Sequence, residues 1–111
     1  MSAKQPTMNG VQLIAAERMR QIEDEKFSAK RDDKYVLGEL GMAAESYLSA
    51  VVTPDEEGDD NGMPRPSWDW PWDKNWWKPA QDPIRNLVKA GALIAAEIDR
   101  LQRAQAKGGG K

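Results

Sequence analysis

The chain reads as an all-α protein: a small three-helix bundle with a tryptophan- and proline-rich loop packed against it. Two observations predict this. Apolar residues recur at steps of three and four in three separate stretches, and no stretch alternates convincingly as a strand would. All five tryptophans fall between Trp68 and Trp77, in a segment punctuated by Pro64, Pro66, Pro71 and Pro79. At 111 residues the chain is long enough for one domain. That domain is assigned to 9–106, between flexible ends at 1–8 and 107–111.

The first helix is expected over about 9–26. Thr7 or Asn9 can cap it, and Val11, Ile14, Ala15, Met19 and Ile22 supply its apolar stripe. The densely charged stretch from Glu23 to Lys34 reads as a solvated helix end followed by a connection. A second helix, about 33–52, is expected to start from Asp32 or Asp33, with Leu37, Leu40, Ala44, Tyr47, Leu48 and Val51 on one face. Gly38 and Gly41 each cost such a helix about 1 kcal/mol relative to alanine, which predicts a close approach by another backbone or a ligand. Thr53-Pro54 ends the helix. Residues 55–62 form an acidic loop without an apolar side chain, expected to be mobile, and 63–81 form the tryptophan-rich loop. The third helix, about 82–106, has Asp82 as its cap and Pro83 at its first position, where a missing N–H costs nothing. Its stripe is Ile84, Leu87, Val88, Gly91, Ile94, Ala95, Ile98 and Leu101, and the glycines from Gly108 stop it.

Three such helices make a thin core, so the loop or a second chain must cover part of it. Small residues on the second and third helices (Gly38, Gly41, Ala43, Ala44; Ala90, Gly91, Ala92, Ala95, Ala96) allow close packing from both sides, which favours a homo-oligomer.

Composition removes several function classes. The net charge is −2 with both signs interspersed, so there is no strong nucleic-acid signal and no field to draw the chain to an anionic membrane. Cysteine and histidine are absent, which removes disulfides, zinc sites and the commonest general base. Met1 to Pro6 do not read as a signal peptide, and no apolar run approaches the roughly 18 residues of a membrane span. A soluble, cytoplasmic protein is expected.

Carboxylates on a small helical protein invite comparison with the MazG-like nucleoside triphosphate pyrophosphohydrolases, whose acid pairs three or four residues apart hold Mg²⁺ on one helix face. That spacing is missing here from the second and third helices. Glu39 and Glu45 are six apart, about 120° around the axis. Pairs with the spacing, such as Asp55 with Asp59, lie in the acidic loop. No serine sits in a nucleophile elbow, so no residue is assigned a catalytic role, and Mg²⁺ enters only under the hydrolase alternative.

Binding remains. Indole faces stack on nucleobases, while Arg and Lys hold phosphates. Lys74 and Lys78 lie beside the tryptophans, and Arg18, Arg20, Arg85 and Lys89 are available on the helices. The candidate ligand-binding residues are Arg18, Glu39, Trp72, Trp76, Trp77, Lys78 and Lys89. The competing structural role for the tryptophans is to wedge shut a small core or an interface, and both hold if some rings are buried and others exposed. For Glu17, Arg18 and Arg20 the competing role is a solvated helix face, and for Asp32 and Asp33 it is capping.

The blocks Glu17-Arg18-Met19-Arg20-Gln21-Ile22, Asp32-Asp33, Gly38-Glu39-Leu40, Trp70-Pro71-Trp72-Asp73, Trp76-Trp77-Lys78-Pro79 and Leu87-Val88-Lys89-Ala90-Gly91-Ala92-Leu93-Ile94 together resemble a family of small uncharacterised proteins of tailed phages and prophages. The likeness runs from Glu17 to Leu101. It implies a phage setting and the host cytoplasm, without a mechanism. In that family a His often precedes the paired aspartates, where this chain has Arg31, and an Asp often stands where it has Asn86, which weakens any enzymatic role resting on those groups. The resulting expectation is a phage accessory protein, oligomeric, that sequesters an anionic nucleotide-like ligand such as a host-defence signal between the loop and the Glu17/Arg18/Glu39 region. The alternatives are the metal-dependent hydrolase and a protein–protein inhibitor of a host factor.

Overall fold

The computed structural model describes residues 7–108. It contains four α-helices: α1 (Gly10–Glu23), α2 (Ala29–Asp32), α3 (Glu39–Val52) and α4 (Pro83–Lys107), with a single 3₁₀ turn, Lys74–Trp76, in the tryptophan loop. There is no strand among the described residues, so the all-α class holds. No helix is long and apolar enough to cross a membrane. The flexible ends expected at 1–8 and 107–111 lie mostly outside the described residues, and Lys107 itself closes α4.

Asn9 opens α1 with a capping box: its side chain accepts from the Gln12 amide, and the Gln12 side chain accepts from the Asn9 amide. The helix ends at Glu23, short of the expected 26. The Lys26 ammonium donates to the Glu23 carbonyl, and Lys26 takes a left-handed φ of 61°. This turn reverses the chain so that Phe27 can drop into the core. The charged connection then forms the extra short helix α2, capped by Ser28. Asp32 and Asp33 therefore close α2 instead of opening the next helix.

The second long helix starts at Glu39, six residues later than expected. Gly38 precedes it in the left-handed region at φ 86°, which is the reason a glycine stands there. Leu37 consequently falls outside the helix and is 76% exposed, and Leu48 is also exposed; the buried stripe is Leu40, Ala43, Ala44 and Tyr47. No backbone crowds Gly38 or Gly41: a β-carbon at Gly38 would find only the Met42 Cε at 4.0 Å, and one at Gly41 nothing within 4 Å. The close approach occurs on α4 instead. A β-carbon at Gly91 would lie 2.6 Å from Ile14 Cδ1, so this glycine is where α1 presses on α4.

Helix α4 is the centre of the molecule. Asp82 caps it through the Ile84 amide and Pro83 occupies its first turn, as the sequence predicts. α3 packs on one flank and α1 on another, with scarcely any contact between those two. The α3–α4 seam is built from alanines (Ala43, Ala44, Ala90, Ala96) around Leu40, Tyr47 and Leu93, which lets the backbones approach closely. The molecule measures 55 × 41 × 23 Å, so its thinnest dimension is about two helix diameters. α1 and α3 thus dock on α4 separately, and the tryptophan loop bonds to α3 and α4.

A candidate binding cavity under the tryptophan loop

The loop is anchored at both ends. Near its start, the Ser67 hydroxyl bonds to Ser46 on α3 and to Asp69. Near its end, the buried Asn86 side chain accepts from the Ala80 amide and donates to the Ala80 carbonyl, both at 2.8 Å. In between, the Lys78 amide donates to the Tyr47 hydroxyl at 3.2 Å, and the Lys89 ammonium donates to the Lys78 carbonyl at 2.6 Å. The acidic segment is tied down too, because Asp55 accepts from the Gly58 amide and from the backbone and guanidinium of Arg65. Those bonds hold the Asp55 carboxyl well below the usual carboxylate range, the Arg65 contact contributing most.

Three of the indoles interlock with Tyr47 and Tyr35. Tyr47 lies 4.6 Å from Trp77 between centroids, Trp70 meets Trp77 and Trp72 edge-on at 5.1 and 5.4 Å, and Trp72 sits 5.2 Å from Tyr35. Edge-to-face packing of this kind suits the ring quadrupoles and is worth about 0.5–1.5 kcal/mol per pair beyond buried area. These three tryptophans close the core, and Trp70 and Trp72, with Trp76, also wall a cavity of about 650 Å³ that reaches from the loop across to α1 and α4.

The polar wall comes from helix spacing. Glu17, Arg20 and Gln21 are one turn apart on α1, and Arg85 and Lys89 are one turn apart on α4; all five line the cavity. Glu17 is 2% exposed. Its carboxylate accepts two bonds from Arg20 at 2.8 Å, one from Arg85 at 2.6 Å and a longer one from Gln21 at 3.3 Å. Burial alone would raise its pKa, but the two guanidinium groups together outweigh burial and hold it below the ordinary value. Arg20 also pairs with Glu25 at the rim. Lys89 is pushed down, first by desolvation and then by the neighbouring Arg85.

Arg31 completes the cationic lining. Its guanidinium lies 3.8 Å from the Phe27 ring centre and 4.9 Å from Tyr35, and it bonds Asp32 at 2.9 Å. Five basic and three acidic side chains line the cavity, so its field favours an anion. Two buried polar atoms of lining residues, Gln21 Oε1 and Trp72 Nε1, have no hydrogen-bond partner among the described residues.

Of the residues singled out in the sequence, Trp72, Trp76, Lys78 and Lys89 meet at this cavity. Arg18, Glu39 and Trp77 do not line it. Arg18 follows Glu17 by about 100° of helix, so it cannot share that face; it runs along the α1–α4 seam to Asp32 at 3.6 Å and Asp99 at 3.5 Å. Glu39 sits at the start of α3, where it accepts from the Leu37 amide at 2.7 Å and steadies the turn before the helix. Trp77 is turned inward, its N–H donating to the Pro64 carbonyl at 2.8 Å. Glu17 and Arg20 are not a solvated face but the centre of the polar wall. Gln21, Arg31 and Arg85 belong to the site and were not among the candidates. The i, i+4 pairs Glu17/Gln21 and Arg85/Lys89 are the sequence signal that could have found most of them.

Among the described residues, no three acidic side chains converge where they could hold a metal ion. Comparison of the chain with protein-family models, with curated proteins and with solved structures found no match. Fold and site together define an all-helical domain with a cationic, aromatic-walled cavity between its helices and a tryptophan loop.

Proposed function

We propose that this chain is a phage accessory protein that binds and sequesters an anionic, nucleotide-like ligand, working as a homo-oligomer in the host cytoplasm. One observation carries the reading: Arg20, Arg31, Arg85 and Lys89 share a single cavity with the faces of Trp72 and Trp76. Phosphates need charge-assisted donors, and a base needs flat, polarisable walls. The volume of about 650 Å³ falls within the roughly 300–1,000 Å³ range of small-molecule sites. In this arrangement Arg85, Arg20 and Lys89 take the phosphates, and Trp72 and Trp76 flank the base. A host-defence signal is the class of nucleotide such a protein would intercept.

Holding, not turnover, fits the chemistry of the wall. Glu17, the buried carboxylate of the cavity, is locked between two guanidinium groups that keep it ionised, which makes it a weak base and a poor acid near neutral pH. The test is a calorimetric and fluorescence screen against linear and cyclic nucleotides, with and without Mg²⁺. The expected result is indole quenching and release of the unchanged nucleotide after heat denaturation. Metal-dependent conversion of the nucleotide would instead establish the hydrolase.

A second reading rests on Trp68, which is 97% exposed at the loop tip. An indole left in water is the kind of anchor that protein interfaces use, so this ring is the hot spot of an inhibitor of a host protein. Capture of a host factor that Trp68→Ala abolishes and Trp72→Ala spares would favour it.

A further inference from the structure

Arg31 lines the same cavity as Arg20, Arg85 and Lys89 but stands apart from them, at the other end of the aromatic wall. Ring contacts give the order along that wall. The Arg31 guanidinium lies 4.9 Å from the Tyr35 ring centre and 5.4 Å from that of Trp72. Trp72 meets Trp70 at 5.4 Å, Trp70 meets Tyr47 at 5.9 Å, and the Lys89 ammonium lies 5.5 Å from the Tyr47 ring centre. Arg85 is one helical turn from Lys89, and Glu17 ties it to Arg20. Arg20, Arg85 and Lys89 therefore form one cationic pole and Arg31 a second, with the rings of Tyr47, Trp70 and Trp72 between them.

Both poles keep donors for a ligand. Arg31 uses Nη1 on the buried Asp32 at 2.9 Å, and among the described residues its Nε and Nη2 donate to no group. Those two nitrogens share one edge of the guanidinium, the edge that matches two oxygens of a phosphate. Asp32 is itself shared with Arg18 at 3.6 Å, so it does not match the Arg31 charge alone. Stacking 3.8 Å over the Phe27 ring centre holds this guanidinium in place before a ligand arrives. At the other pole, Arg85 uses only Nη2, on Glu17, and Lys89 gives one of its three protons to the Lys78 carbonyl. None of the three acids of the wall bonds to Arg31. Glu17 and Glu25 pair with Arg20, and Asp73 accepts from the Asn75 amide at 2.8 Å.

We infer that the cavity selects a nucleotide carrying phosphates at two separate positions, one for each pole, over a nucleotide whose phosphates form a single chain. The inference rests on the nucleotide-holding reading and adds to it the placement of the ligand's charges. A single chain on one sugar hydroxyl puts all its charge at one pole and leaves Arg31 facing uncharged parts of the ligand. Phosphates on the 3′ and 5′ hydroxyls of one ribose leave the sugar in different directions. One then meets Arg85 and Lys89, the other meets Arg31, and the base lies on the rings between them. Arg31 is the specificity-determining residue of this scheme.

The probes are the nucleoside 3′,5′-bisphosphates of the common bases and the matching 5′-diphosphates, titrated into the full chain by calorimetry. Each pair shares its base, its sugar and its number of phosphates, and differs only in where the second phosphate sits. Wild type is expected to bind the bisphosphate about tenfold more tightly, the size of one charge-assisted contact. Arg31→Gln should abolish this preference by weakening the bisphosphate about tenfold while leaving the diphosphate within about twofold. Arg31→Lys, which keeps the charge, should retain part of the preference, and Arg85→Gln should weaken both ligands. The wild-type comparison needs no variant, so it decides the matter even where Arg31→Gln does not fold. Equal affinities in the wild type, or a loss on Arg31→Gln common to both ligands, overturn the second pole while nucleotide binding stands. Binding of neither ligand overturns the inference together with the reading beneath it.

Discussion

Replacing Glu17 by glutamine should move stability and ligand affinity in opposite directions. In the folded protein the carboxylate neutralises Arg20 and Arg85 at hydrogen-bond distance while being 2% exposed itself. Breaking a buried ion pair costs about 3–5 kcal/mol when the surviving charge is stranded. Here the survivors are not stranded, since the Arg20 and Arg85 side chains are more than one-third exposed and can turn to water. The expected loss is therefore smaller, about 2 kcal/mol, or roughly 8 °C in Tm for a domain of this size. The cavity, meanwhile, gains a net positive charge. One charge acting on a phosphate about 8 Å away at an effective dielectric near 40 contributes about 1 kcal/mol, or about fivefold in affinity. The assay pairs a urea or thermal melt with nucleotide titration by calorimetry. If Glu17→Gln destabilises the fold and also weakens binding, the carboxylate holds the ligand directly and the assigned charge logic is wrong.

The remaining expectations are more local. Asn86→Ala removes both bonds to Ala80 and leaves a partly buried backbone amide and carbonyl unpaired, so a loss of about 1–3 kcal/mol is expected in urea melts. Gly91→Ala gains about 1 kcal/mol of helix propensity but drives a methyl to 2.6 Å from Ile14 Cδ1; overpacking of about 1–3 kcal/mol wins, and the midpoint of urea unfolding should fall. The Tm against pH should show two carboxylates of opposite sign. Glu17, held below its ordinary value of 4.5, contributes stability that is present above that pH and is lost as pH falls through its folded value. Asp32 is raised, chiefly by burial that Arg31 and Arg18 only partly offset, so its cost to the fold is relieved as pH falls through its own higher value. Asp32→Asn should remove the gain in Tm as pH falls through the Asp32 value, and Glu17→Gln the loss in Tm at the lower Glu17 value.

The helix positions were legible where local chemistry decides them. Asn9, Asp82 and Pro83 mark their helix starts through backbone valence alone, and the structure uses them so. Asp32 and Asp33 are good caps by residue type, but Ser28 four residues before Asp32 is one as well, and the chain needs a turn there to bury Phe27. Gly38 and Gly91 show the same limit. A glycine announces either a backbone angle or a close neighbour, and the choice depends on tertiary packing: φ 86° at Gly38, Ile14 at Gly91. At the site, the aromatic half could be read from the crowding of tryptophans. The polar half is marked only by the i, i+4 pairs Glu17/Gln21 and Arg85/Lys89, a weak signal, because each looks like any exposed helix pair until α4 brings Arg85 alongside Glu17. Residue type alone points Arg18 and Trp77 to the site, yet one helical step and one indole bond to Pro64 turn them elsewhere.

The most direct test of a ligand held beneath the loop is the indole N–H region of a ¹H–¹⁵N correlation spectrum, where five tryptophans give five assignable signals. Titration with a nucleotide drawn from the screen should shift Trp72 and Trp76, which line the cavity, and leave Trp68 in place at the exposed loop tip. Shifts confined to Trp68, or none with any nucleotide at millimolar concentration, would contradict it.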